Sequence, residues 1–120
     1  MAMIIVVEDD VFIRQAAEWM IADLGHTSLV ASDVASALLH LDAPHHIDAL
    51  FVDMRLHAAV FGGCDVADRA VVLRPGLPVL YTSGSALTEA MAARLVPGAR
   101  FLAKPYSPAQ LEASLGAMLT

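Results

Sequence analysis

Short, unbroken apolar blocks alternate along the chain with stretches in which apolar residues recur every three or four positions. Met3 to Val7 is the first block, closed by Glu8-Asp9-Asp10. Residues 27–31, 47–53, 78–83 and 100–103 are the others. Short continuous blocks flanked by polar or turn residues read as strands buried on both faces of a parallel sheet. Between them, Ile13, Ala16, Ala17, Met20 and Leu24 fall on one stripe of a helix over 11–24, with Asp10 as its cap and Gly25 as its stop. Asp33 caps a short helix carrying Ala37, Leu38 and Leu41. After an irregular loop from Met54 to Gly62, Gly63 introduces a third helix with Val66, Ala67, Ala70, Val71 and Leu73, stopped by Arg74-Pro75-Gly76. A fourth is predicted over 88–96. The last is capped by Ser107, has Pro108 in its first turn, and aligns Leu111, Leu115 and Met118. Five strands joined by helical crossovers predict an α/β protein with a doubly wound five-stranded parallel sheet, flavodoxin-like, in the order 2-1-3-4-5.

The 120 residues form one domain, 1–120, with no repeat or linker to divide it. Hydrophobic residues make up 58% of the chain and charged residues only 17%, which is apolar for a globular domain. No apolar segment is long enough to cross a bilayer, and the amino terminus lacks the pattern of a signal peptide, so no membrane is expected and a cytoplasmic location is. The surplus apolar surface implies cover by a partner or a second copy, a homodimer. Phe12 and Trp19 share a stripe of the first helix displaced from its core stripe: either they pack under neighbouring side chains or, the reading slightly favoured by the surplus apolar surface, they form an exposed aromatic patch for a partner. A net charge of −6 without a basic run argues against nucleic acid. The single Cys64 reads as a small, semi-buried hydrophobe in a reducing compartment.

The 2-1-3-4-5 order brings polar strand-end residues together. Glu8 and Asp9 end the first strand, Asp53 the third, Ser83 the fourth and Lys104 the fifth. Each has an ordinary reading: acids favour helix N-termini, and Asp, Ser and Lys are common at strand ends. Converged at one edge they acquire chemistry. Three carboxylates at close range repel unless a cation lies among them, and an all-oxygen set suits Mg²⁺. A carboxylate so placed can attack phosphorus and form an aspartyl phosphate. Lys104 and the Ser83 hydroxyl would then hold the phosphoryl oxygens. His45, His46 and His57 match no zinc spacing and read as loop residues.

Val6-Val7-Glu8-Asp9-Asp10, Val52-Asp53-Met54, Pro78-Val79-Leu80-Tyr81-Thr82-Ser83-Gly84 and Phe101-Leu102-Ala103-Lys104-Pro105-Tyr106 together resemble the receiver domain of two-component response regulators, as in the chemotaxis regulator. That resemblance covers essentially the whole chain. It implies that Asp53 is the phosphoacceptor, that Asp9 and Asp53 bind Mg²⁺ with the backbone carbonyl of Arg55, and that Glu8 acts mainly through a metal-bound water. Ser83 and Phe101 would be the switch pair, Gly84 would leave room above the site, Lys104 would pair with the phosphoryl group, and Lys104-Pro105 would be a cis peptide. It also implies a signalling switch rather than an enzyme, beyond catalysis of its own dephosphorylation. The partners would be a histidine kinase or histidine phosphotransfer protein and a downstream protein target. Two departures stand out. The family usually has Pro four residues after the phosphoacceptor, where this chain has His57, and the loop from His57 to Gly63 is longer than the common pattern.

With the sequence ending at Thr120, output through protein–protein contact is expected from a phosphorylation-controlled switch in a phosphorelay. The same motifs occur in receivers at the carboxyl end of hybrid histidine kinases. A small phosphatase of the haloacid-dehalogenase type combines similar groups, but carries its nucleophile on strand one in an Asp-x-Asp pattern, and Glu8-Asp9-Asp10 does not supply it. A degenerate receiver used as a constitutive docking module would lack part of the acid, hydroxyl and lysine set, which is complete here.

Overall fold

The computed structural model describes residues 1–57 and 59–119. In chain order it contains β1 (Met3–Val7), α1 (Val11–Asp23), β2 (Thr27–Ala31), α2 (Val34–Asp42), β3 (Ala49–Asp53), α3 (Gly62–Leu73), β4 (Val79–Ser83), α4 (Glu89–Arg94), β5 (Arg100–Ala103) and α5 (Pro108–Met118). The strands form one parallel sheet in the order β2-β1-β3-β4-β5, as the alternation predicts. Val7 pairs with Val52, Asp53 with Thr82 and Ser83 with Ala103, so the carboxyl ends of the four strands finish at a common edge.

Side chains alternate across the sheet and build a core on each face. Ile5, Val7, Leu50, Val52, Val79 and Tyr81 pack under Ala37 and Leu41 of α2 and Val66, Ala67 and Ala70 of α3. Ile4, Val6, Phe51, Leu80 and Leu102 pack under Ala17 and Ile21 of α1 and Leu111 and Leu115 of α5. In α1 the predicted stripe is shifted: Ile21 is its most deeply buried large residue, while Met20 and Leu24 lie at the margin. Phe12 and Trp19 face outward, 77% and 66% exposed. Cys64 is fully buried rather than semi-buried, and burial pushes its thiol pKa up.

Several element boundaries differ from the predicted ones by one or two residues. β3 begins at Ala49 rather than 47 because Asp48 is diverted, its carboxylate accepting the Met3 N–H at 2.8 Å. α3 begins one residue early, at Gly62. α4 stops at Arg94 because Leu95 is extended and Val96 turns inward, donating its N–H to the buried Tyr81 hydroxyl at 3.1 Å. No residue of α4 is buried. Arg94 ties it to its neighbours, reaching Asp65 at 3.2 Å and Asp68 at 3.6 Å on α3 and lying 5.1 Å above the Phe61 ring. Arg74, at the end of α3, donates to the carbonyls of Leu41, Ala43 and His45, satisfying groups that the end of α2 leaves open.

Candidate functional site

The site lies where the carboxyl ends of β1, β3, β4 and β5 meet. Asp53 is the last residue of β3, Ser83 the last of β4, and Glu8 and Lys104 directly follow β1 and β5. Turn geometry fixes each one. Asp10 caps α1, accepting the N–H groups of Phe12 and Ile13, so the chain turns sharply after Asp9. The Asp10 N–H in turn donates to Glu8. Lys104 is joined to Pro105 by a cis peptide, as the resemblance implies. Behind Asp53, Gly63 passes so close that a Cβ there would lie 1.9 Å from the Asp53 carbonyl oxygen.

Glu8 and Asp53 are buried, and the Lys104 ammonium bridges them, 2.7 Å from Glu8 Oε1 and 2.8 Å from Asp53 Oδ2. Burial pushes Glu8 up to about 7, with the charge of Asp53 adding to the rise and the Lys104 hydrogen bond opposing it. For Lys104, burial acts to lower the pKa, but its bonds to Asp53 and Glu8 outweigh it and hold the ammonium above its ordinary value. One oxygen each from Glu8, Asp9 and Asp53 lie within 4.8 Å of one another. Asp9 is half-buried and accepts the backbone N–H of His57 at 2.7 Å. Burial tends to raise its pKa, but the His57 bond, helped by Glu8, leaves it below the usual carboxylate range.

The predicted residues come together in different degrees. Glu8, Asp9, Asp53 and Lys104 form one contact group. Ser83 is buried at the next strand end, its hydroxyl accepting the Ser85 N–H at 3.1 Å, and stands beside this group rather than bonded to it. The Arg55 N–H reaches Asp53 Oδ1 at 3.3 Å. Phe101 is half-buried opposite Tyr81 on the α3 side of the sheet. A Cβ at Gly84 would meet nothing within 4 Å.

Three further features are not anticipated from the sequence. His57 takes a left-handed conformation, φ 55°, which turns its N–H onto Asp9; its place four residues after Asp53 was the only signal. Tyr106 packs edge-on to Phe51 at 5.6 Å, and burial pushes its hydroxyl up to about 12. The Thr82 hydroxyl is buried without a hydrogen-bond partner among the described residues.

The donor set fits a hard divalent cation. Once Glu8 is ionised, three carboxylates against one ammonium leave two negative charges in a half-enclosed, all-oxygen cluster, the combination that Mg²⁺ accepts while keeping some of its water.

Among known families, residues 4–116 match the one described as the response regulator receiver domain. No curated protein matches the sequence. Among solved structures, a response regulator receiver protein from Sinorhizobium medicae WSM419 is 28% identical, covering 98% of this chain and 94% of its own, with a TM-score of 0.89. The receiver domain of NtrX from Brucella abortus is 29% identical over 97% of each chain, with a TM-score of 0.85. A CheY-like receiver domain protein from Methanospirillum hungatei JF-1, 20% identical over 99% of this chain and 94% of its own with a TM-score of 0.88, shares the fold.

Proposed function

The chain belongs to the response regulator receiver domain family, and on that premise we propose that it is a phosphoacceptor switch in which Asp53 takes a phosphoryl group from a histidine kinase or phosphotransfer protein. The observation that carries the reading is the Lys104 ammonium held between Glu8 and Asp53, with Asp9 alongside. Mg²⁺ would be held by Asp9, Asp53 and the Arg55 carbonyl, with Glu8 acting through a bound water; when bound, it offsets negative charge between the carboxylate and the phosphoryl oxygens.

An Asp53 carboxylate oxygen attacks phosphorus, a P–O bond forms, and the bond from phosphorus to the donor imidazole nitrogen breaks with its electron pair returning to the ring. Lys104 lies within hydrogen-bond distance of Asp53 and meets the charge that develops on the phosphoryl oxygens. Ser83, whose hydroxyl oxygen now accepts the Ser85 N–H, swings to donate its O–H to a phosphoryl oxygen, and Phe101 adjusts behind it. The result is a population shift that alters the α4, β5 and α5 face for a downstream protein. Water later attacks phosphorus at the same site, the bond from phosphorus to the Asp53 oxygen breaks with its electron pair returning to the carboxylate, and inorganic phosphate leaves, which resets the switch. No described helix is long and apolar enough to cross a membrane.

Incubation with acetyl phosphate and Mg²⁺, followed by intact-mass measurement, tests the assignment. The wild-type chain gains one phosphoryl group and Asp53→Ala gains none. Undiminished uptake by Asp53→Ala removes Asp53 from the role.

A further inference from the structure

The contribution of His57 to the site comes from its backbone. Its N–H donates to Asp9 Oδ2 at 2.7 Å, a bond that proline has no hydrogen to make. The bond depends on an uncommon conformation. At φ 55° His57 lies in the left-handed region, and proline is held near the opposite sign. The turn is fixed by reciprocal bonds between Leu56 and Ala59, the Leu56 N–H donating to the Ala59 carbonyl at 3.1 Å and the Ala59 N–H to the Leu56 carbonyl at 3.0 Å. Leu56 itself is buried. The loop is thus anchored at its base and presents one amide to one carboxylate across a sequence separation of 48 residues.

We propose that the His57 backbone amide is a positioning group for the metal site, holding Asp9 by one oxygen so that the other faces Glu8 and Asp53. This rests on the reading of the cluster as a magnesium site. A carboxylate has room for both bonds, since its two oxygens together offer about four lone-pair positions. Asp9 is 26% exposed in its side chain, open enough to rotate without such a tether. Hydrogen bonds from the protein to ligating carboxylates orient them, and losing one typically weakens metal binding by about 10–100-fold. The His57 imidazole, 63% exposed and 3.9 Å from Asp9, is not the operative group. The loop thus supplies a backbone donor to one carboxylate of the acidic cluster.

Replacing the amide between Leu56 and His57 by an ester removes the N–H and leaves the imidazole. His57→Gly removes the imidazole and keeps the N–H, with free access to positive φ. Each is titrated with Mg²⁺ alone, without phosphoryl donor, and followed by amide NMR. The wild-type amide proton of residue 57 is expected at low field and moves on Mg²⁺ addition. The ester binds Mg²⁺ about tenfold more weakly, and His57→Gly binds as the wild type does. Equal or tighter binding by the ester overturns the proposal, as does a His57→Gly variant as weak as the ester. Loss of the folded spectrum in the ester also overturns it, because a positioning amide does not hold the fold. A wild-type chain that binds no Mg²⁺ instead sinks the magnesium reading itself.

Discussion

Replacing Lys104 with Met keeps the aliphatic stem and deletes the ammonium, leaving two buried carboxylates facing each other. Glu8 is 4% exposed in its side chain and Asp53 8%, so water does little to replace the lost partner. At a separation of about 4 Å and an effective dielectric of about 20, each ammonium–carboxylate attraction amounts to about 4 kcal/mol. Much of that attraction offsets the desolvation of three buried charges, so the pair contacts add little net stability while intact. Deleting one partner exposes the full cost, about 3–5 kcal/mol. For a domain with about 5–15 kcal/mol in total, that is a large fraction. Urea denaturation at about pH 9 in a chelating buffer, above the value of about 7 to which burial pushes Glu8, reads it: with m of about 1–3 kcal/mol/M, the midpoint falls by at least about 1 M. Adding Asp53→Asn to the Lys104→Met background removes one stranded charge and restores part of the loss. A Lys104→Met deficit under about 1 kcal/mol, or a double variant no more stable than the single one, refutes the account.

Two further perturbations test the frame around the site. Gly63→Ala forces a methyl group to 1.9 Å from the Asp53 carbonyl oxygen and 2.9 Å from Met54 Cα, backbone atoms that cannot step aside, so a loss of about 3 kcal/mol or more in thermal unfolding is expected. Gly84→Ala, with nothing within 4 Å of the added carbon, changes stability by under about 0.5 kcal/mol. Tyr81 is fully buried and burial pushes its hydroxyl from 10.0 up to about 12, so the folded state keeps the proton that the unfolded chain loses. This contribution is whole below pH 10 and is lost as pH rises from 10 toward 12, at about 1.4 kcal/mol per unit. Tyr81→Phe flattens the stability profile over that window while lowering stability near pH 7 by about 1–3 kcal/mol, because the Val96 N–H loses its acceptor. A profile unchanged by the substitution contradicts this assignment.

The alternation of apolar blocks and helical stripes was enough to place all five strands, most plainly β1, β3 and β4, which are buried on both faces and carry no polar positions short of their ends; the strand order came with the flavodoxin-like class that the alternation indicates. The strand-end residues were legible for the same reason: a charged residue directly after such a block has few other places to go. The stripe of α1 was misjudged around Ile21 because Met20 and Leu24 suit a partly buried margin as well as a core, and only the docking angle of the helix on the sheet decides. The Arg74 bonds to three carbonyls near the end of α2 and the His57 bond to Asp9 span 29 to 48 residues and depend on backbone groups, which every residue carries alike. No residue type marks such contacts in advance.

Among the described residues, α4 is the one helix that sinks no side chain into either core. Its moorings are an arginine shared between two surface aspartates and an aromatic ring, and partial cover of Met91 by the sheet. Exposed ion pairs of this kind hold with about 0–1 kcal/mol each. Sliding or turning this segment would therefore uncover almost no greasy surface and demand no repacking elsewhere. On these magnitudes, a push at the rim of the sheet on the scale of one new hydrogen bond would match the strength of those moorings.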